Sequence, residues 1–527
     1  MFSIPYTETG YFSKLMIDYL NQDPQLQSLY HRFPVIENFK EQIQEKQQHF
    51  PQEHRNVLVE NLKSQYQNFT IYDKTQQNIE SLAKNNTFTI VTGHQLNLFT
   101  GPLYFLYKII STINLCKELK TQYPENNFVP VYWMATEDHD FDEINFFNFN
   151  QIKFQWNKNA SGPVGRLETN GLQAVFEQFK QHIPLGNNAK KLAELFEKAY
   201  LQHSNLTDAT RFLANELFKA QGLVIVDGDD KKLKTLFAPH IKKELIEQSS
   251  IKAVEQTYPI LDNYFIQVNP REINLFYIEN GLRERIVYEE NSYKVLNTHL
   301  EFSPNEILDL VDQHPEKISP NVILRPLYQE VILPNLCYIG GGGELAYWLE
   351  LKDVFELHQT PFPMLLLRNS VLLATEKQNN KREKLHLEWN ELFLKTETFL
   401  KNKTQELANH SFDFEQQKQF LKEQFQQLQA LTLQTHPDFV GAVKAQEAKQ
   451  LKGLEHLEKR YFKAERLNNK EQLDRMLDLK IALFPNNSLQ ERVDNFANFY
   501  VDFGDELIEK LLQNLKPLEQ NYSIILL

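Results

Sequence analysis

Apolar and polar residues alternate along this chain in two different rhythms, and the change falls near residue 371. Before it, from about residue 85, short β-rich runs are separated by helix-length stretches: "TFTIVTG", "FVPVYWMAT", "GLVIVDGDD" and "PFPMLLLRN". Each run ends in small or polar residues where a loop should begin. The spacing leaves room for crossover helices, which predicts an α/β fold with a parallel sheet. In open sheets of this kind ligands collect beyond the carboxyl ends of the strands. The polar clusters that follow the strands are therefore the places to look for chemistry.

From 371 the rhythm lengthens. "EKQNNKREKLHLEWNELFLKTETFLKNKTQELANH" and "FEQQKQFLKEQFQQLQALTLQ" contain no Gly or Pro, and apolar residues recur at three and four: Leu421, Phe425, Leu428, then Leu451, Leu454, Tyr461. This pattern predicts long helices. "THPDFVG", with Pro437 and Gly441, is expected to reverse the chain between two arms of an antiparallel hairpin. Pro485 ends one helix, and Ser488 with Glu491 has capping-box spacing for the next. The domain plan is a core over 1–370 with inserted segments near 150–220 and 250–320, a helical domain over 371–485, and an apolar segment over 486–527 that docks back on the core.

Composition narrows the possibilities. With 42% apolar and 24% charged residues in 527, the chain has the balance of a globular protein of several domains. Its 69 acidic and 56 basic residues give a net charge of −13, a poor match to phosphate backbones, so nucleic acid is not an expected partner. Apolar runs such as Met364–Leu367 fall far short of the ~20 residues a membrane helix needs. No basic stretch leads into an apolar run at the N-terminus, and the expected setting is cytoplasmic, without a membrane partner. The two cysteines, Cys116 and Cys337, form no CxxC pair and read as inert core thiols.

Three clusters carry candidate chemistry. In "FTIVTGHQLNLFTGPLYFLYKI" a strand runs into Thr92, Gly93, His94 and Gln95, and an apolar helix opens at Thr100, Gly101 and Pro102. Thr100 suits the cap, Gly101 a close backbone approach and Pro102 the first helical position, which would aim free N–H groups at an anion. A well-capped core helix beside a satisfied histidine is the plain alternative. The second cluster, Thr136, Glu137, Asp138, His139, Asp140, Phe141, Asp142 and Glu143, crowds five carboxylates around one imidazole. They repel one another unless a cation or an amine-bearing substrate shares the site, and such crowding shifts pKa values toward acid–base use. Capping of a helix accounts for two or three of them. No zinc spacing occurs, and no permanent metal is expected.

The third cluster is "CYIGGGGELAYW", whose glycines at 340–343 permit a backbone nest for phosphate or carboxylate, or merely a tight turn. It is neither a P-loop nor a GxGxxG motif. Arg325 and Arg368 suit bidentate contact with such anions, and equally suit structural ion pairs. Asp227 and Asp229 stand at a strand's end, to bind ribose or substrate hydroxyls or to cap the next helix.

Taken together, "TGHQLNLFTGPLYFLYKI", "VPVYWMATEDHDFDEINFF", "SPNVILRPLYQEVILPNLCYIGGGGELAYW" and the long C-terminal hairpin resemble the BshC family of bacillithiol biosynthesis over nearly the whole chain. The resemblance implies a Rossmann-like core related to class I aminoacyl-tRNA synthetases and nucleotidylyltransferases, connecting insertions, and a coiled-coil domain that mediates homodimerisation. It also implies a ligase that joins cysteine to glucosaminyl-malate in the pathway's last step. Departures are visible. The place of the HxGH signature of related nucleotidylyltransferases reads Phe99, Thr100, Gly101, Pro102, and Arg368, Asn369, Ser370 stand where a KMSKS-like lysine loop would be. The family's Gly-Pro-Gly-Glu is here Gly341, Gly342, Gly343, Glu344.

Making that amide requires an activated carboxylate, for which ATP, with Mg2+ accompanying it, is the expected cosubstrate. In this scheme His94, Gln95, Glu137, Asp138, His139 and Asp140 are catalytic. Thr92, Gly93, Thr100, Gly101, Asp142, Arg325 and Arg368 bind substrate, and Asp227, Gly341, Gly342, Gly343 and Glu344 hold the nucleotide. His139 or a carboxylate of raised pKa takes the amine's proton, His94 and Gln95 steady charge on the acyl oxygen, and Arg325 meets a malate carboxylate. Two readings from other classes stay open: a nucleotidyltransferase acting on a small phosphorylated substrate, and a dimeric coiled-coil scaffold with a vestigial pocket.

Overall fold

Five apolar strands build the central sheet: β1 (Thr87–His94), β2 (Asn127–Met134), β3 (Val224–Asp227), β4 (Asn335–Gly340) and β5 (Met364–Leu367). This computed structural model describes residues 2–408, 414–432 and 438–527. Every neighbouring pair is parallel, in the order β5-β4-β1-β2-β3. Chain order reverses at β1, so a crevice forms at the carboxyl ends of β1 and β4, where crossovers leave in opposite directions. All eight residues of β1 are buried, as expected of a strand with both faces covered. Four strands are those the apolar runs predict. β4 is an addition: "NLCYIG" reads as a lead-in to the glycines, yet it is an interior strand. Cys116 and Cys337 pack in one core cluster with Phe88, Ile90 and Leu366, and burial pushes both thiols upward, away from reactivity.

Helix α1 (Tyr104–Gln122) follows β1 and is buried on most of its surface. Its start corrects the expectation for Thr100. Phe99, Thr100 and Gly101 all take positive φ (+47°, +69° and +62°), and the helix begins only at Tyr104, so Thr100 is no cap and Pro102 is not its first residue. The buried Asn495 donates to the carbonyls of Phe99 (2.7 Å) and Gly101 (2.6 Å), and the Phe99 N–H donates to the Tyr200 hydroxyl (2.8 Å). The left-handed turn is thereby held from two sides. Ser488 is likewise no cap: the short helix Gln490–Val493 follows Leu489, and Glu491 turns inward. Helix α2 (Gly342–Trp348) follows β4.

Between β2 and β3 lie a short helix (Phe141–Ile144), a hairpin (Phe146–Phe149 with Ile152–Gln155) and three longer helices, with Phe99, Phe147, Phe179 and Phe196 packed together among them. Between β3 and β4 an antiparallel five-stranded sheet spans residues 275–320. The strand Asn521–Leu526 pairs antiparallel with Phe2–Pro5. By packing, the chain divides into Met1–Leu373 with Ser488–Leu527, and Ala374–Asn487. In the second unit α3 (Phe414–Thr432) and α4 (Asp438–Asn468) run antiparallel, Lys418 meeting Glu458 and Gln429 meeting Glu447. Pro437 of the expected reversal lies outside the described residues, and Gly441 is inside α4. Among the described residues no helix is long and apolar enough to cross a membrane.

Candidate functional site

A cavity of about 920 Å³ opens at the carboxyl end of the sheet. β1 and its loop supply Gly93, His94 and Gln95; the loop after β2 supplies Glu137, Asp138 and His139. The turn after β4 supplies Gly341, Gly342, Gly343 and Glu344, the loop after β5 supplies Arg368, and Arg325 lines it from the helix Leu324–Ile332. Six expected residues do not line it. The Thr92 hydroxyl donates to the Ile339 carbonyl (2.7 Å), and Thr100 and Gly101 belong to the clamped turn. Asp140 and Asp142 are exposed. Asp227 accepts from the Thr136 hydroxyl and the Asp229 N–H, and burial, with Asp229 nearby, raises it to about 6.

The carboxylates expected to repel one another are sorted by donors of the chain itself. Glu137 pairs with the buried Lys234 (2.6 Å), which also reaches Asp229 (3.3 Å), and Arg166 grips Asp229 through two nitrogens (2.7 and 2.8 Å). Gln95 Nε2 donates to Asp138 (2.9 Å) and to Glu143 (2.8 Å). Burial raises the pKa of Glu137 against the pull of Lys234. In Asp229 burial pushes the same way, but Lys234 and Arg166 outweigh it and hold the carboxyl low. Arg283 Nη1 lies 2.8 Å from His139 Nδ1. A guanidinium only donates, so Nδ1 accepts and the ring proton sits on Nε2. His139 thus presents a donor.

The glycine turn is partly filled from within. The Gly341 N–H donates to Glu344 Oε2 (2.8 Å), the Tyr338 hydroxyl to Oε1 (2.8 Å), and Lys108 Nζ lies 2.5 Å from Oε2. Lys108 also donates to the Gly93 carbonyl (2.7 Å), so it ties β1 to the turn after β4. Burial pushes Glu344 up, but Lys108 prevails and holds it below the usual carboxylate range; burial lowers Lys108 despite Glu344. The nest expected for an outside anion is therefore partly occupied by Glu344, while Gly343 faces open space. The sequence reading missed Lys108. Its signal was a lone cation inside an apolar helix, which must find a carboxylate once buried.

His94 is buried, and burial together with the charge of Lys108 drives its pKa well below the ordinary value, so the ring is neutral. Arg368 is tied to Glu491 (2.8 Å), an ion pair in which both side chains are buried. Arg325 is different. It donates to Gln329 (3.1 Å), its Nη2 is buried without an acceptor, and among the described residues it meets no carboxylate. Arg271, Arg283 and Arg285 also line the cavity, from the inserted sheet and the loop before it, where the sequence reading placed no chemistry. No group of three or more His, Cys, Asp or Glu able to hold a metal occurs among the described residues.

Comparison with known proteins agrees with this architecture. The model of "Bacillithiol biosynthesis BshC, N-terminal Rossmann-like domain" matches residues 1–369, and that of the BshC C-terminal coiled-coil domain matches 371–527. A protein of Flavobacterium johnsoniae named "Putative cysteine ligase BshC" is 59% identical over 522 residues, covering 99% of each chain. Its namesake in Flavobacterium psychrophilum is 58% identical, over 99% of this chain and 98% of that one. A crystal structure of a "putative arginyl t-RNA synthetase" from Campylobacter jejuni aligns over 81% of this chain and 99% of its own, at 9% identity and a TM-score of 0.21. The two family models together span nearly every residue, and on that ground the chain belongs to the BshC family of bacillithiol biosynthesis.

Proposed function

We propose that this chain is a cytoplasmic ligase that joins the carboxyl group of cysteine to the amine of glucosaminyl-malate, the last step of bacillithiol biosynthesis. The observation that carries the reading is the mixed charge of one cavity: Glu137, Asp138 and Glu143 suit ammonium groups, and Arg325, which lacks a carboxylate partner among the described residues, suits a carboxylate. Both charges occur on the two substrates. A nucleoside triphosphate, with Mg2+ carried on its phosphates, supplies the activation that a carboxylate needs to become an electrophile. The glycine end fits such an anion: Arg368 Nε is buried without an acceptor and lies 3.8 Å from where a side chain on Gly341 would begin. Glu137 takes the proton lost by the attacking amine, held in place by Lys234. His139 donates through Nε2, and neutral His94 with Gln95 lines the acyl side without adding a charge. The exposed Phe420, Leu428, Leu431, Phe439 and Leu457 of the hairpin support a homodimer through the coiled coil.

The test is reconstitution with purified protein, cysteine, glucosaminyl-malate and ATP, followed by mass spectrometry. Formation of bacillithiol with loss of a phosphate or pyrophosphate group is the expected result. A nucleotidylated product in its place would replace the ligase with a nucleotidyltransferase.

A further inference from the structure

We propose that Arg271 and Arg285 form a second anion subsite, one that takes a carboxylate of the acceptor's organic acid in a side pocket of about 240 Å³ adjoining the main cavity. Arg285 lies on the inserted strand Leu282–Glu289, and Arg271 in the loop that leads into Leu275–Glu279. Both line the main cavity and the side pocket, and with Ile273 they are the residues the two share.

Of the other arginines around the site, Arg325 also lacks a carboxylate among the described residues, while three have acceptors within the chain. Arg283, two positions before Arg285 and on the same strand face, donates to Ser319, to the Pro320 carbonyl and to His139. Arg166 has Asp229 and Arg368 has Glu491. Among the described residues neither the Arg271 nor the Arg285 guanidinium meets a carboxylate, and Arg285 Nε is buried without an acceptor. Two guanidiniums thus share one small pocket wall, exposed Arg271 and half-buried Arg285, in an arrangement that an outside anion would bridge. The remaining walls identify that anion. Ile251, Pro270, Ile273, Ile286 and Val287 are apolar, which suits a short carbon skeleton ending in a carboxylate, and the one acidic residue of the wall, Glu272, is exposed and pairs with neither arginine among the described residues. A polyphosphate needs donors on every side. The inference rests on the ligase reading only for the identity of the organic acid.

Calorimetric titration of the full-length protein with malate, and separately with inorganic pyrophosphate, tests it without turnover. In Arg271→Gln and Arg285→Gln the malate Kd is expected to rise roughly tenfold or more, the loss of a charge-assisted contact, with pyrophosphate binding unchanged. Arg285→Lys, which keeps the charge without the fork, is expected to fall between the parent and Arg285→Gln, and it carries the test if the glutamine variant does not fold. Malate binding unchanged in both glutamine variants, a loss confined to pyrophosphate, or no malate binding by the parent overturns the subsite. A parent that makes bacillithiol yet binds malate independently of both arginines sinks the subsite and leaves the ligase standing.

Discussion

Glu137 and His139 stand two positions apart on one loop, yet partners from other elements decide which of them can take a proton. Arg283 occupies the imidazole lone pair, and burial lifts the Glu137 carboxyl while Lys234 orients it. Glu137→Gln is therefore expected to lower kcat for amide formation by roughly 10²-fold or more, the size of a lost general base, and His139→Ala by much less. The pH profile adds a sign. A base must be ionised to work and this one is raised, so the rate falls as pH drops through a value above the ordinary carboxylate range. Glu137→Gln removes that acid limb from the kcat/KM profile. A second prediction concerns Glu491, which accepts from Arg368 and from the Val371 N–H (2.9 Å). Glu491→Ala strands a buried guanidinium and should cost about 3–5 kcal/mol in chemical denaturation. The acidic cluster was legible in the sequence as a place of chemistry. Its sorting was not, because Lys234, Arg166 and Arg283 reach it from segments whose proximity only the fold creates.

At the scale of elements, the opening turn of α1 shows how a readable motif is put to another use. The residues "FTGP" have the composition of a capped helix start, but a clamp from the C-terminal segment holds them left-handed instead. A side chain at Gly101 would begin 2.6 Å from Asn97 Cβ, in a backbone already at positive φ. Gly101→Ala should thus destabilise the protein by about 1–3 kcal/mol, seen as a lower denaturant midpoint at unchanged slope. The segment before the inserted sheet carries a different prediction. It brings Gln267, Asn269 and Arg271 to the cavity and is tied by buried Glu350, which accepts the N–H groups of Gln267 and Val268. Burial raises Glu350 to about 7 even so. The folded state then holds a proton the unfolded chain releases near 4.5, so this group's stabilisation is complete below that pH and is lost as pH rises through 7. Glu350→Gln should gain in Tm relative to the parent as pH climbs from 4.5 to 8. Four strands of the main sheet were legible because double burial leaves unbroken apolar runs. The inserted sheet was not, since "LRERIVYE" alternates its arginines with acidic residues and reads as surface.

For the whole molecule, the question is whether the hairpin or the cavity does the work. Every residue lining the cavity comes from the unit formed by Met1–Leu373 and Ser488–Leu527. The hairpin, in the other unit, keeps Phe425 and Val443 buried but leaves Leu428 38% exposed on one arm and Leu457 56% exposed on the other. Apolar side chains at such positions on long helices are what a second copy would cover, and the homodimer proposed above needs them. Introducing charge there separates the two readings. Leu428→Glu with Leu457→Glu should give a monomer by light scattering, because each buried carboxylate in the dimer would lack a partner. If the cavity is the working part, the monomer still binds malate with the parent's affinity, and any fall in turnover is shared by both substrates. If the protein is a scaffold, Glu137→Gln leaves its function in cells intact while the double hairpin variant abolishes it. The ligase reading requires the reverse order of severity, since a proton acceptor takes part in the reaction itself whereas a dimer contact acts on the site only at a distance.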